Sequence, residues 1–248
     1  MIFLFSSFTL RHKVGQHMTK KLFTMALLCL LCAGINAQDN EAIRFGIKGG
    51  LNFSTISCDE HGNIVKDRLT SLNAGGLLDI PVWNQVIYFQ PYLGLSGKGV
   101  KYNLKENAES TDNGTIKVTP YYAELQTNVL FKAPLSENTK FFVGGGPYLS
   151  AGLFGKASVE GNFGGVDTDF SKNIGYTSKK LDYQDPYHWS KLKRFDYGYN
   201  LLVGVEVSRY FISAAYTQGL ANIQPKSKKS GDASGKNGVF SISIGLFL

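Results

Sequence analysis

Eight stretches of the chain alternate apolar and polar side chains with a period of two, at about 43–54, 71–80, 86–98, 119–132, 140–153, 195–207, 209–220 and 238–248. That period marks a β-strand, whose successive side chains point to opposite faces. No stretch after residue 40 repeats at helical spacing. The stretches run to about 10–14 residues, longer than the usual five or six of a strand. They suit a tilted strand that crosses a bilayer in ~9–11 residues and protrudes at its ends.

The two faces differ sharply. In FGIKGGLNFS, Phe45, Ile47, Leu51 and Phe53 lie on one face with Gly49, while Lys48, Asn52 and Ser54 lie on the other with Gly46 and Gly50. In 119–132, Tyr121, Ala123, Leu125, Thr127, Val129 and Phe131 oppose Tyr122, Glu124, Gln126, Asn128 and Lys132. In 195–207, Tyr197, Tyr199, Leu201, Val203, Val205 and Val207 oppose Asp196, Asn200 and Glu206, among others. Aromatic residues sit near the strand ends and aliphatic ones between them, the order that an outer surface needs where headgroups flank hydrocarbon.

Two barrels fit such strands. A soluble, lipocalin-like barrel keeps its apolar face inside, and Lys48, Asp79, Glu124 and Glu206 would then face water. A membrane barrel turns its apolar face to lipid. The connections favour the second. Short turns at 81–85, 133–139 and Ser208 alternate with long loops at about 55–70, 99–118, 154–194 and 221–237. All short turns fall at one end of the strands, as in outer-membrane barrels. The expectation is an all-β fold, an eight-stranded antiparallel up-and-down transmembrane β-barrel with short periplasmic turns and long outer loops. Such a sheet must close, because an open edge would leave backbone groups unpaired in hydrocarbon.

A barrel of eight strands is narrow inside. Gly46, Gly75, Gly94, Gly144, Gly146, Gly198, Gly204 and Gly245 all fall on the polar face and leave room for larger neighbours. The candidate site is a polar network in the barrel lumen formed by Lys48, Tyr92, Glu124, Gln126, Tyr148 and Glu206. An unpaired charge there is costly, so Lys48 is expected to pair with Glu124, with Glu206 as a second partner. Bulky side chains pointing inward should plug the lumen.

The N-terminus adds an address. MTKKLFTMALLCLLCAGINAQ, from Met18, has a basic start at Lys20 and Lys21, an apolar run at 22–32 and a small residue, Ala37, before Gln38. It reads as an export signal. Residues 1–37 are expected to be a signal peptide that starts at Met18, and 38–248 the barrel domain of a protein in the bacterial outer membrane. The leader holds four of the 26 basic residues and none of the 19 acidic ones, so its removal leaves a net charge of +3. That gives no case for nucleic acid. Cys58 remains alone, so no internal disulfide can form.

Chemistry is sparse. His61 and His188 fall in expected outer loops, with Ser190, Asp182, Asp185 and Asp196 near the second. A lipid-modifying enzyme would hold such groups fixed on the barrel wall, whereas these lie in a polar loop. Cys58 and His61 make a single CxxH, short of a zinc set, and DTDF at 167–170 lacks the spacing of a calcium loop. No phosphate-binding glycine motif opens a helix. No enzyme activity, metal or cofactor is expected. Lys179, Lys180, Lys191, Lys193, Arg194, Lys226, Lys228, Lys229 and Lys236 in the outer loops offer cations to lipid phosphates.

The segments FGIKGGLN, QPYLGLSGKG, YYAELQTNVLFK, FFVGGGPYLSAG, DYGYNLLVGVEV and YTQGLANI, taken in order, resemble the PorT-like outer-membrane β-barrel family of Bacteroidetes-type bacteria. The resemblance implies an eight-stranded barrel of the OmpA/OmpX size class and no particular activity. One departure is the ending at Leu248, with the aromatic Phe247 one place early. The role expected is structural or interactive, as an adhesin-like protein or a partner in envelope assembly or secretion. A narrow pore and, behind it, a lipid-modifying enzyme are the alternatives. Expected partners are outer-membrane lipid, including lipopolysaccharide, and envelope proteins that the sequence does not identify. No nucleic acid is expected, and the protein is expected to be a monomer.

Overall fold

The computed structural model describes residues 43–57, 64–104, 113–163, 166–177, 190–225 and 235–248. They fall in one compact unit, Ala42–Leu248. The expected leader, its cleavage point, Cys58, His61 and His188 lie outside the described residues.

Within them the chain forms β1 (Arg44–Ser57), β2 (Ile64–Asp67), β3 (Leu69–Trp83), β4 (Ile87–Gly97), β5 (Val100–Leu104), β6 (Asn113–Ser136) and β7 (Thr139–Phe163). It continues as β8 (Val166–Asn173), β9 (Gly175–Tyr176), β10 (Lys191–Leu192), β11 (Phe195–Val207), β12 (Tyr210–Gly219) and β13 (Lys236–Phe247). Antiparallel pairing runs from β1 to β3, β4, β6, β7, β11, β12 and β13, and β13 pairs again with β1. These eight strands cover the eight expected stretches, with ends that differ by a few residues except in β6 and β7.

The two faces of this sheet resolve the ambiguity of the sequence. Apolar side chains are the exposed ones: Ile244 is 68% exposed, Leu201 58% and Leu149 55%. Polar ones are buried: Asn52 and Lys132 are 1% exposed, and Asp79 and Asp196 0%. A water-soluble protein does the reverse. The apolar face is the one that a bilayer would cover.

Three tight turns join strands at one end. Asn84 and Gln85 take left-handed φ angles of 46° and 55°, the backbone of a two-residue hairpin turn, and Val86 N–H donates to the Trp83 carbonyl at 2.9 Å. Ser208 has φ 55° between β11 and β12. Glu137 and Asn138 link β6 to β7.

The other end departs from expectation. The stretches 99–118 and 154–194 are loops in the sequence reading, yet β5, the start of β6, the end of β7 and β8 lie in them. These segments and β2 pair in the order β2–β5–β6–β7–β8 as a sheet that continues beyond the long strands. The alternation persists there with its faces exchanged. Along β6 the face that carries Tyr121, Leu125 and Val129 continues as Thr119, Lys117 and Thr115, while the face that carries Glu124 and Gln126 continues as Val118 and Ile116. On β7 the first face continues from Phe154 into Lys156, Ser158 and Glu160. A strand that leaves hydrocarbon for water must turn its polar face outward, and the exchange falls at Tyr121 and Phe154. Their rings stack there, with centroids 5.2 Å apart at 22°.

Candidate functional site

The glycines of the polar face set the interior. Gly75 and Gly94 lie opposite each other on β3 and β4. A Cβ on Gly94 would come within 2.2 Å of the Tyr92 hydroxyl, and one on Gly75 within 2.7 Å of its ring. Gly204 and Gly245 leave the same room for Phe142 and Phe211, where a Cβ would lie 2.3 and 2.1 Å from the rings. Aromatic rings therefore lie across the narrow interior. A cluster of Leu77, Tyr88, Tyr92, Leu130, Phe142, Leu202, Phe211 and Phe247 fills it towards the short turns.

Two sets of charges border this cluster. At the short-turn end, Lys132 Nζ donates to Asp79 Oδ2 at 2.7 Å and to Glu206 Oε2 at 2.9 Å. Arg44 grips the same two carboxylates, with Nη2 2.5 Å from Asp79 and Nη1 2.6 Å from Glu206. Gln90 donates to Asp79 Oδ1 at 3.2 Å. Lys132 Nζ also lies 4.4 Å from the centre of the Tyr88 ring.

The second set lies towards the long loops. Lys98 Nζ is 2.7 Å from Glu124 Oε2 and 3.1 Å from Asp196 Oδ2. Tyr148 Oη and Asn237 Nδ2 each donate to Asp196 Oδ2 at 2.9 Å, and Gln126 Nε2 donates to Glu124 Oε1 at 2.7 Å. Lys48 Nζ stands 4.0 Å over the Tyr92 ring. Asn52, Asn73, Ser96 and Ser243 are linked by bonds of 2.6–3.2 Å in the same region. Each set holds two cations and two carboxylates, Arg44 and Lys132 with Asp79 and Glu206, and Lys48 and Lys98 with Glu124 and Asp196. Each is formally neutral, which is what low-dielectric burial of charge demands.

Above the second set the interior turns apolar again. Ile56, Val100, Val118, Ala157, Ile174, Leu192 and Ile223 pack together. Backbone bonds hold this cap. Lys193 N–H donates to Ile223 at 2.8 Å, Thr177 to Leu192 at 2.9 Å and Ile174 to Gly155 at 3.0 Å. The cavity left beside Lys48, Tyr92, Glu124 and Asn200 measures about 20 Å³, room for a single water.

Of the six residues expected to form the network, Lys48, Tyr92, Glu124, Gln126 and Tyr148 lie in the second set, and Glu206 lies in the first. The expected partner of Lys48 is otherwise engaged, since Glu124 contacts Lys98 at 2.7 Å while Lys48 rests on Tyr92. Arg44, Asp79, Lys98, Lys132 and Asp196 complete the network but are not among the six expected residues, although Lys132 and Asp196 share the polar faces of their strands. Parity alone could have supplied Lys98, which follows Gly94 and Ser96 at steps of two. Among the described residues no three His, Cys, Asp or Glu side chains gather as a metal site.

The sequence matches the family described as outer membrane protein beta-barrel domain over residues 36–224. Among solved structures, the chain is similar to the attachment invasion locus protein Ail of Yersinia pestis, crystallised with the heparin analogue sucrose octasulfate. The identity is 12%, the match covers 84% of this chain and 100% of that one, and the TM-score is 0.38. Neisserial surface protein A is similar at 10% identity and a TM-score of 0.36, over 83% of this chain and 99% of that one. No curated protein matches the sequence.

Proposed function

The chain belongs to the outer membrane protein β-barrel domain family and lies in the outer membrane, and on that premise we propose that it is a closed, eight-stranded barrel with a structural or interaction role. The return of pairing from β13 to β1 supports closure. The barrel is PorT-like, is exported by a leader ending at Ala37, and stands in the membrane as a monomer. Its short turns face the periplasm, and the sheet β2–β5–β6–β7–β8 stands at the cell surface, offered to an envelope or extracellular partner. It is not an enzyme.

One observation carries this reading against a pore, and it is the filled interior. Two neutral charge clusters, a layer of aromatic rings and an apolar cap occupy it, and the cavity beside Lys48, Tyr92 and Glu124 measures about 20 Å³. Side chains that fill a barrel of this width close it to solutes. What the fold then presents to its surroundings is its lipid-facing wall and its outer sheet.

The test uses intact cells. A photo-crosslinking residue at Glu160, half exposed on the outer sheet, is expected to capture protein or glycan partners, while the same residue at Ser208 on a short turn is not. Purified protein in planar bilayers is expected to show no steady conductance. A stable open channel, or a Ser208 probe labelled by an impermeant reagent on unbroken cells, would overturn the reading.

A further inference from the structure

Where the polarity of the faces changes, three lysines come together. Lys101 on β5 lies directly opposite Lys117 on β6. Residues so placed have Cβ atoms about 4.5–5.5 Å apart, and like charges in that position repel. Lys156 on β7 lies opposite Thr119, one step of the same face nearer the membrane, diagonal to Lys117. Carboxylates flank the row on both sides, Asp67 opposite Lys101 on β2 and Glu160 on β7 with Asp169 opposite it on β8, and the two nearest are partly exposed. Asp67 Oδ2 is 3.9 Å from Lys101 Nζ and Glu160 Oε2 is 3.3 Å from Lys117 Nζ. Exposed pairs of this kind contribute little, and among the described residues no carboxylate is paired with Lys156.

The position of this cluster decides what it would meet. Lys156 follows Phe154 by two residues, and Thr119 precedes Tyr121 by two, so the lysines begin ~7 Å beyond the stacked Tyr121–Phe154 pair. Aromatic residues mark the interface of an outer-membrane barrel. Below them the same face carries Ala123, Leu125 and Leu149, a surface for acyl chains. Three cations thus stand over an apolar wall at headgroup level, on adjacent strands held in register by the sheet.

We propose that Lys101, Lys117 and Lys156 form a binding site for the phosphate-bearing headgroup of a glycolipid in the outer leaflet, with its acyl chains against Tyr121, Phe154 and the wall beneath. A bound phosphate relieves the repulsion between Lys101 and Lys117 and gives Lys156 its counter-charge. The site rests on the barrel reading above and deepens it.

The experiment compares the native protein with the triple variant Lys101→Gln, Lys117→Gln, Lys156→Gln, and with a control, Lys140→Gln with Arg209→Gln, at the opposite rim. All are purified in a neutral detergent, and each is first checked for heat-modifiable migration on gels. The probes are bisphosphorylated lipid A, the same lipid dephosphorylated, and inorganic phosphate, read by native mass spectrometry and by the shift in melting temperature. Lipid A is expected to bind the native protein and the control alike, and the triple variant at least tenfold more weakly. Dephosphorylated lipid A should bind the native protein as weakly as lipid A binds the variant, and inorganic phosphate should shift nothing. Binding of lipid A to the triple variant within twofold of native overturns the site. So does equal binding of the dephosphorylated lipid, or protection by inorganic phosphate equal to that by lipid A. Loss of heat modifiability in the native protein would instead strike the barrel reading.

Discussion

Lys132 and Asp79, 53 residues apart in sequence, meet in the interior with Nζ 2.7 Å from Oδ2 and both side chains almost wholly buried. Removing one partner of a buried pair typically costs about 3–5 kcal/mol, because the other charge stays behind unmatched. Lys132→Ala is therefore expected to lower the urea midpoint of the barrel in lipid far more than Lys117→Ala. The Lys117–Glu160 pair is exposed, and such pairs contribute about 0–1 kcal/mol. Equal midpoints for the two variants would contradict the buried placement.

Lys98 and Lys48 should behave differently although both belong to the second charge set. Lys98 contacts Glu124 and Asp196 directly, whereas Lys48 rests on a ring. Lys98→Met leaves two buried carboxylates without their main partner, and Lys48→Met leaves Tyr92 against an apolar chain. The first is expected to destabilise the protein by about 3–5 kcal/mol and the second by less. The temperature at which the folded gel band disappears orders them. A larger loss for Lys48→Met would return Lys48 to the central role that the sequence reading assigned it.

Glycines on the two faces give a paired test. A Cβ on Gly75 would lie 2.5 Å from Gly94 Cα and from the Leu93 carbonyl, and overpacking of this sort costs about 1–3 kcal/mol. A Cβ on Gly49, on the apolar face, meets its nearest atom at 3.6 Å. Gly75→Ala is expected to destabilise the barrel, and Gly49→Ala to stay within about 0.5 kcal/mol of native. Unfolding in urea checks both.

Most of the fold was legible because lipid on one side and a packed interior on the other enforce a strict period of two. Leu125 and Gln126 could be assigned to opposite faces without knowing what either touches. The outer sheet was lost for the same reason. At Lys117 and Val118 the alternation continues but its polarity inverts, and in sequence such an inversion looks the same as the start of a polar loop. The network was legible as a face and not as pairs. Glu124 and Lys48 share that face, but whether Glu124 meets Lys48 or Lys98 depends on stagger between strands, and Arg44 and Asp79 meet across it from strand ends that the alternation places only loosely.

The exposed apolar face predicts the effect of a charge placed on it. Ile244 is 68% exposed on β13, on the apolar face that also carries Phe240 and Ile242. An Arg or Lys at the mid-depth of a barrel wall in lipid costs about 2–4 kcal/mol, whereas the same change on a water-exposed strand is close to neutral. Ile244→Arg is expected to reduce both stability and yield in membranes, and unfolding in liposomes reads the loss. A neutral outcome would place that face in water.

The inside-out arrangement is tested most directly by a nitroxide scan of residues 121–132 on β6 in liposomes, reading the accessibility of each label to oxygen dissolved in the bilayer. Maxima are expected at 123, 125, 127, 129 and 131 and minima at 124, 126, 128, 130 and 132, with polar relaxation agents excluded from the maxima. Minima at the odd positions, with the even ones open to a polar agent, would mean that the apolar face is the core and the charged face is the surface, the opposite of the inside-out arrangement.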